Sequence, residues 1–414
     1  MRITSTALLA LLPVLAIAVP TSNNVGVTIP LSKRSKLRNE DGTAAIENLR
    51  KSISRVQRKL ERGFANFERN TGEIHPNDFR NSTAAASKRA TGADPLTDDD
   101  EELWQGAISV GTPAKRFTVD FDTGSSDLFL PASNCNVNCA GHTLYTTSAS
   151  STARNQGSSF SLAFGDGSTV SGTIFTDTVT IGGLTATSQA VGAATRYSTG
   201  FALSEFPPDG LMGMAFPQIS EFGANPFFQT LVAQGKTTAS EFGFKLSTSG
   251  SELFLGGVDT NLFTGTITQV SVTQVGFWQI TLGSANVNGA ATVSNRAAIV
   301  DTGTTLLLGP AADVSRFYAA IPGSRDASST VGAGFFTFPC NSLPPLSLTL
   351  GGRAFPISAA SFNLGTLSAG STTCVGGVAA VDFDNMWILG DVFLENVYSV
   401  FNTGTRQVGF ATLR

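Results

Sequence analysis

Asp122 and Asp301 each open the tripeptide Asp-Thr-Gly, and the likeness extends to both sides. Val119-Asp-Phe-Asp-Thr-Gly-Ser-Ser-Asp-Leu-Phe-Leu-Pro131 matches Ala298-Ile-Val-Asp-Thr-Gly-Thr-Thr-Leu-Leu-Leu-Gly-Pro310. A second pair follows in the same order: the glycine of Leu211-Met-Gly213 lies 91 residues beyond Asp122, and that of Ile388-Leu-Gly390 lies 89 beyond Asp301. Two elements repeated at nearly equal offsets indicate two lobes of one design. Each aspartate follows an apolar run, where a carboxylate without a partner would be costly. A strand followed by a turn would explain one copy, but not why both keep the acid.

If the lobes pack about a pseudo-twofold axis, the two loops meet and the carboxylates face each other. Two such groups cannot both ionise easily, so over an acidic range they hold one proton between them, and their titration belongs to the pair. The pair can hold a water, remove its proton through the ionised member, and donate the other proton to a carbonyl oxygen or a leaving amine. Amide hydrolysis needs that combination and no metal or cofactor. Thr123, Gly124, Thr302 and Gly303 suit a tight loop whose hydroxyls and N–H groups orient the acids. Ser125 and Thr304 are placed to hydrogen-bond the outer carboxylate oxygens.

The chain that must position these groups has 414 residues, 14% charged, with 43 glycines and 17 prolines. That composition favours a turn-rich β fold over coiled coil or disorder. Its net charge of −4 suggests no nucleic-acid partner. The charge is unevenly spread: residues 1–89 hold 15 Lys+Arg against 7 Asp+Glu, whereas the remaining 325 hold 12 against 24. A basic leader and an acidic body are electrostatically complementary. Met1 and Arg2 precede an apolar stretch, Ala7 to Val19, with Ala16-Ile17-Ala18 as a small-residue cleavage site, which reads as a signal peptide over 1–18. From Thr43 to Asn70, Ile46, Leu49, Ile53, Val56, Leu60, Phe64 and Phe67 recur at helical spacing, predicting an amphipathic helix. Lys88-Arg89 follows a polar run and reads as a processing site in an exposed linker. The expected divisions are a basic propeptide at 19–89, a first lobe at 90–272 and a second at 273–414. Asn81-Ser-Thr, the one glycosylation sequon, falls in the propeptide.

After Trp104 short β-branched and aromatic runs alternate with turn residues, predicting an all-β body with one helix at Ala311–Ile321. Glycine pairs at Gly182-Gly183, Gly256-Gly257 and Gly351-Gly352 read as hairpin turns. Phe160–Phe164 and Val170–Phe175 flank Gly165-Asp166-Gly167-Ser168 as a further hairpin. His142 reads as an exposed loop residue. Four cysteines in an exported chain suggest two disulfides, for which three pairings are open.

Phe121-Asp-Thr-Gly-Ser-Ser126, Asp209-Gly-Leu-Met-Gly213, Phe277-Trp-Gln-Ile280, Val300-Asp-Thr-Gly-Thr304 and Trp387-Ile-Leu-Gly-Asp391 together resemble the secreted fungal pepsin-like aspartic endopeptidases, in zymogen form. The likeness runs from Trp104 to Leu413. It implies a bilobal all-β fold with a central cleft, acid endopeptidase activity on bonds flanked by apolar residues, inhibition by pepstatin and by its own propeptide, and a monomer. No membrane anchor is expected, because no later segment is long and apolar enough to cross a bilayer and Phe410–Arg414 carries no anchor-type tail. It further implies the disulfides Cys135–Cys139 and Cys340–Cys374. Extracellular release is expected over a vacuolar destination. The 160–175 hairpin becomes the flap that closes over substrate. Here the chain departs from the family: Phe164 replaces the usual flap tyrosine and Phe129 the usual tryptophan. Losing donor and acceptor together leaves no orphaned polar group, so an active enzyme with a differently ordered flap is expected. Asp166 resembles the acidic residue with which fungal members accept lysine beside the scissile bond. The competing readings are a noncatalytic pepsin-fold binding protein, a glycosidase with paired acids, and a serine hydrolase built on His142, for which no nucleophile motif is present.

Overall fold

The computed structural model describes residues 26–34, 37–80, 103–163, 168–247 and 249–414. The signal peptide, Asn81, Lys88-Arg89, the acidic run at 98–102 and the flap tip with Phe164, Gly165 and Asp166 lie outside them. The body is bilobal and built of strands with a few short helices. Both halves contain the same unit, as the internal repeat predicts. In the first half, Lys115–Asp122 pairs in parallel with Gly210–Gly213, aligning Asp122 with Gly213, and Leu128–Pro131 pairs antiparallel to the same short strand. In the second, Ala290–Val300 pairs in parallel with Met386–Leu389, and Leu307–Pro310 pairs antiparallel to it. Parallel pairing with strands buried on both faces explains why these segments read as unbroken apolar runs.

The downstream glycines allow the close approach. A Cβ on Gly213 would lie 2.3 Å from the Ser126 nitrogen, and one on Gly390 would lie 2.1 Å from the Thr304 oxygen. Each short strand can therefore sit directly beneath an aspartate loop, and Asp301 N–H donates to Leu389 O at 3.1 Å.

Among the described residues a 13-stranded sheet joins the halves, and its centre holds an element that sequence pattern did not predict. Val27–Arg34 pairs with Ser251–Leu255 on one side and Leu103–Val110 on the other. The predicted amphipathic helix forms at Ile46–Thr71, closed by Gly72 at φ 77°, a left-handed cap that favours glycine. Its Leu49, Val56, Leu60, Phe64 and Phe67 are buried against the body. The predicted helix in the second half runs from Ala311 to Ala319.

Two glycine pairs form the expected hairpins: Gly182 and Gly183 join Ile181 to its partner Leu184, and Gly351 and Gly352 join Leu350 to Arg353. The third does not. Only Gly256 has positive φ, and Ser251–Leu255 finds its partners in Glu241–Lys245 and Val27–Arg34. His142 is also a correction: it is buried, with Nε2 3.0 Å from Phe201 O and its ring against Tyr197. Cys135 is bonded to Cys139 and Cys340 to Cys374, each bridge within one half.

Candidate active site

Asp122 ends one parallel strand and Asp301 follows the other, so the twofold brings both to the base of one cleft. They are 1% and 0% exposed. The expected supports are in place around each acid. Gly124 N–H donates to Asp122 Oδ1 at 2.8 Å and Ser125 Oγ to Oδ2 at 2.6 Å; Gly303 N–H donates to Asp301 Oδ1 at 3.0 Å and Thr304 Oγ1 to Oδ2 at 2.6 Å.

The threonines do something the sequence reading did not assign. Thr123 N–H donates to Thr302 Oγ1 at 3.1 Å, and Thr302 N–H donates to Thr123 Oγ1 at 3.0 Å. Their hydroxyls donate onward across the interface, to Val300 O at 3.0 Å and Phe121 O at 2.8 Å. Four buried hydrogen bonds thus lock one aspartate loop to the other. Glycine is required at the third position for a related reason. A Cβ on Gly124 would lie 2.5 Å from Asp301 Oδ1, and one on Gly303 would lie 2.3 Å from Asp122 Oδ1. Each loop is pressed against the opposite carboxylate.

Between the acids lies a residue that the sequence reading missed. Lys59 Nζ is 3.1 Å from Asp122 Oδ1 and 2.6 Å from Asp301 Oδ2, and it donates to Gly303 O at 3.2 Å. Burial alone would lower the Lys59 pKa, but the two carboxylates outweigh it and raise it. At Asp122 burial pushes upward, yet the Lys59 charge and hydrogen bonds from Ser125, Asp301 and Gly124 hold the group below its ordinary value. At Asp301 burial and the charge of Asp122 prevail over Lys59, pushing it up to about 6. The environments separate the two acids as a shared-proton pair requires. The overlooked signal was position: Lys59 lies three residues after Val56 and four before Gly63, on the helix face otherwise reserved for apolar side chains.

The rest of the helix is fitted to the cleft. Arg50 donates to Val331 O at one end; at the other, Asn66 donates to Ile219 O at 3.1 Å and Asn70 to Ser220 O at 2.8 Å. Arg69 pairs with Glu221 at 3.1 Å. Gly63 lies against the Phe277 ring, where a Cβ would come within 2.3 Å.

Of the expected flap, the strands Arg154–Ala163 and Thr169–Ile181 pair with Ala163 opposite Thr169. Phe129 is buried, with ring centroids 5.5 Å from Phe201 and 6.0 Å from Tyr197. It fills an apolar cluster beneath the flap strands, together with Phe160 and Leu162.

This duplicated loop, with two buried aspartates at the junction of two β lobes, defines an aspartic protease. Residues 104–413 match the eukaryotic aspartyl protease family, and the chain belongs to it. It is 42% identical over 405 residues to an aspartic protease of Phaffia rhodozyma, covering 96% of this chain and 94% of that one. Similarity extends to major aspartyl peptidase 1 of Cryptococcus neoformans, 34% identical over 80% of this chain and 72% of the relative. It reaches pepsin A of Sus scrofa, 35% identical over 77% and 84%. The protein is an aspartic endopeptidase of the pepsin type.

Proposed function

We propose that Asp122 and Asp301 form the catalytic pair of an acid endopeptidase whose N-terminal segment, 19–89, is a removable inhibitor. The observation that carries this reading is Lys59 Nζ seated between the two carboxylates. A cation there neutralises the pair and fills the space that a nucleophilic water would need. With the helix gone, a water takes its place; the ionised carboxylate removes its proton as it attacks the peptide carbonyl. The protonated partner donates to the carbonyl oxygen, and collapse of the tetrahedral adduct passes a proton to the leaving amine. Ser125 and Thr304 hold the outer oxygens so that the inner ones face the water.

The cleft that the helix occupies suits an extended peptide, and a cavity of about 980 Å³ remains between the helix and the second lobe, lined in part by Phe335, Phe336 and Val381. That cavity is also lined by Arg50, Glu61, Asp326 and Asp382, so a preference for apolar residues beside the scissile bond, with Asp166 as the candidate for accepting lysine, rests on the resemblance of the aspartate loops and flap sequence to the family. By their resemblance to the family's flap sequence, Phe164 and Gly165 would belong to the flap. The apolar stretch Ala7 to Val19 with its small-residue cleavage site supports secretion; the enzyme would act as a monomer, and cleavage after Lys88-Arg89 would give the mature form in two lobes, 90–272 and 273–414.

Peptide mapping of a denatured protein at about pH 4, using material cleaved after Arg89, tests the assignment. Internal cleavage that is blocked by pepstatin and absent from Asp122→Asn is expected. No cleavage by folded, processed protein would favour the binding-protein reading instead.

A further inference from the structure

Three residues beyond the helix cap the N-terminal segment returns to the body through His75, which is 1% exposed. Its imidazole sits among phenylalanine rings: 4.8 Å from Phe64, 5.1 Å from Phe67 and 6.1 Å from Phe277 of the body, measured between centroids. Phe79 packs edge-on to Phe64 and against Phe383, extending the cage onto the second lobe. Nδ1 accepts a hydrogen bond from Asn77 N–H at 3.1 Å, which fixes the proton of the neutral ring on Nε2. Nε2 is buried with no hydrogen-bond partner among the described residues. The ring is therefore held as an apolar wedge between the segment and Phe277.

We propose that His75 is a proton-triggered release element, whose ionisation expels the N-terminal segment from the cleft in mild acid. This rests on the reading of that segment as a removable inhibitor. Taking a proton on Nδ1 breaks the bond from Asn77 and puts a charge into the cage while Nε2–H still lacks an acceptor. The aromatic faces offset part of that cost. Asp78 is the charged group whose field acts on the ring. Asp78, which favours the charged imidazole, is held by Arg80, and Arg80 is shared with Glu68 at 2.7 Å. On the helix, Arg62 faces Asp127 and Asp122, and Arg69 pairs with Glu221. The 272–278 stretch carrying Phe277 has no charged residue, and Asp382 and Asp384 flank Phe383.

Burial lowers the His75 pKa from 6.5 to about 4 in the docked segment, against the pull of Asp78. The sign follows from linkage: docking keeps its full strength above 6.5, weakens about tenfold per unit as pH falls towards 4, and loses on the order of a few hundredfold in all. Asp301, pushed up to about 6 and paired with Lys59 of the same segment, titrates in that window too, so it is the displacement of the release curve in the His75 variants that identifies the imidazole as the trigger.

The chain has two histidines, so ring-proton NMR of the full-length protein resolves both, and His75→Phe assigns them. The expected result is a His75 midpoint near 4, or its abrupt rise to near 6.5 as the segment undocks. Pulsed hydrogen exchange of the Ile46–Thr71 amides, compared at each pH, supplies the release curve, and His75→Phe and His75→Leu are expected to shift its midpoint at least one unit lower. A docked His75 titrating at 6.5 or above, or identical release curves for wild type and both variants, would overturn the proposal alone. A helix that stays protected at all acidic pH values in the wild type would overturn it together with the inhibitor reading.

Discussion

Lys59 Nζ lies 2.6 Å from Asp301 Oδ2 and 3.1 Å from Asp122 Oδ1, a single cation shared by both acids of the site. Removing it leaves two buried carboxylates facing an apolar side chain, and breaking a buried pair in this way costs about 3–5 kcal/mol. Lys59→Met in the full-length chain should therefore loosen the helix by on the order of a hundredfold or more. A quenched peptide assay at pH 6 should detect activity in unprocessed Lys59→Met protein and none in unprocessed wild type.

Gly63 separates helix propensity from docking. Gly63→Ala should favour the isolated helix by about 1 kcal/mol, yet its Cβ would meet the Phe277 ring at 2.3 Å. Circular dichroism of a 43–72 peptide should show more helix for the variant. The full-length variant should nonetheless activate faster, which intrinsic propensity alone would not produce.

The crossed threonines should matter as hydrogen-bonding groups and not as volume. Thr302→Val removes the acceptor for Thr123 N–H and the donor to Phe121 O, leaving buried backbone groups unsatisfied, at a cost of about 1–3 kcal/mol each. Thr302→Ser keeps both. Denaturant melts and kcat of the processed enzyme should place the serine variant near wild type and the valine variant well below it.

Asp313 ties the helix Ala311–Ala319 to the strand beneath Asp301. It accepts from Arg296 Nε at 2.7 Å and from Trp387 Nε1 at 3.1 Å, and it pairs with Arg316. Burial raises its pKa, but these partners overcome that and hold it below 3.8. A depressed carboxylate gives stability that is present above 3.8 and lost as pH falls through the depressed value. Asp313→Asn should cost about 1–2 kcal/mol at pH 6, discounting the half-exposed Arg316, and markedly less at pH 2.5, as read from denaturant melts of the pepstatin-inhibited enzyme.

The acids, their hydroxyl supports and the bilobal design were legible because duplication preserved chemistry at fixed spacing. Asp122 with Ser125, and Asp301 with Thr304, needed only local geometry. Lys59 was hidden because its charge argues for solvent although helical periodicity puts it on the buried face, and only the partner across the cleft explains its burial. Val27–Arg34 was hidden because its pairing with Ser251–Leu255 spans more than 200 residues, and Pro30 within it argued against a central strand. His142 misled for the opposite reason: a polar loop composition surrounds a ring whose burial depends on Phe201 and Tyr197, both distant in sequence. The crossed bonds of Thr123 and Thr302 likewise exist only between the repeats, so neither copy announces them.

The most direct test is a double-mutant comparison of the processed enzyme on one quenched peptide at about pH 4. If Asp122 and Asp301 act as one proton-sharing unit, Asp122→Asn and Asp301→Asn should each lower kcat by on the order of a thousandfold or more, and the double variant should be scarcely worse than either. Substantial turnover in either single variant, or losses that simply multiply in the double, would contradict a shared catalytic pair.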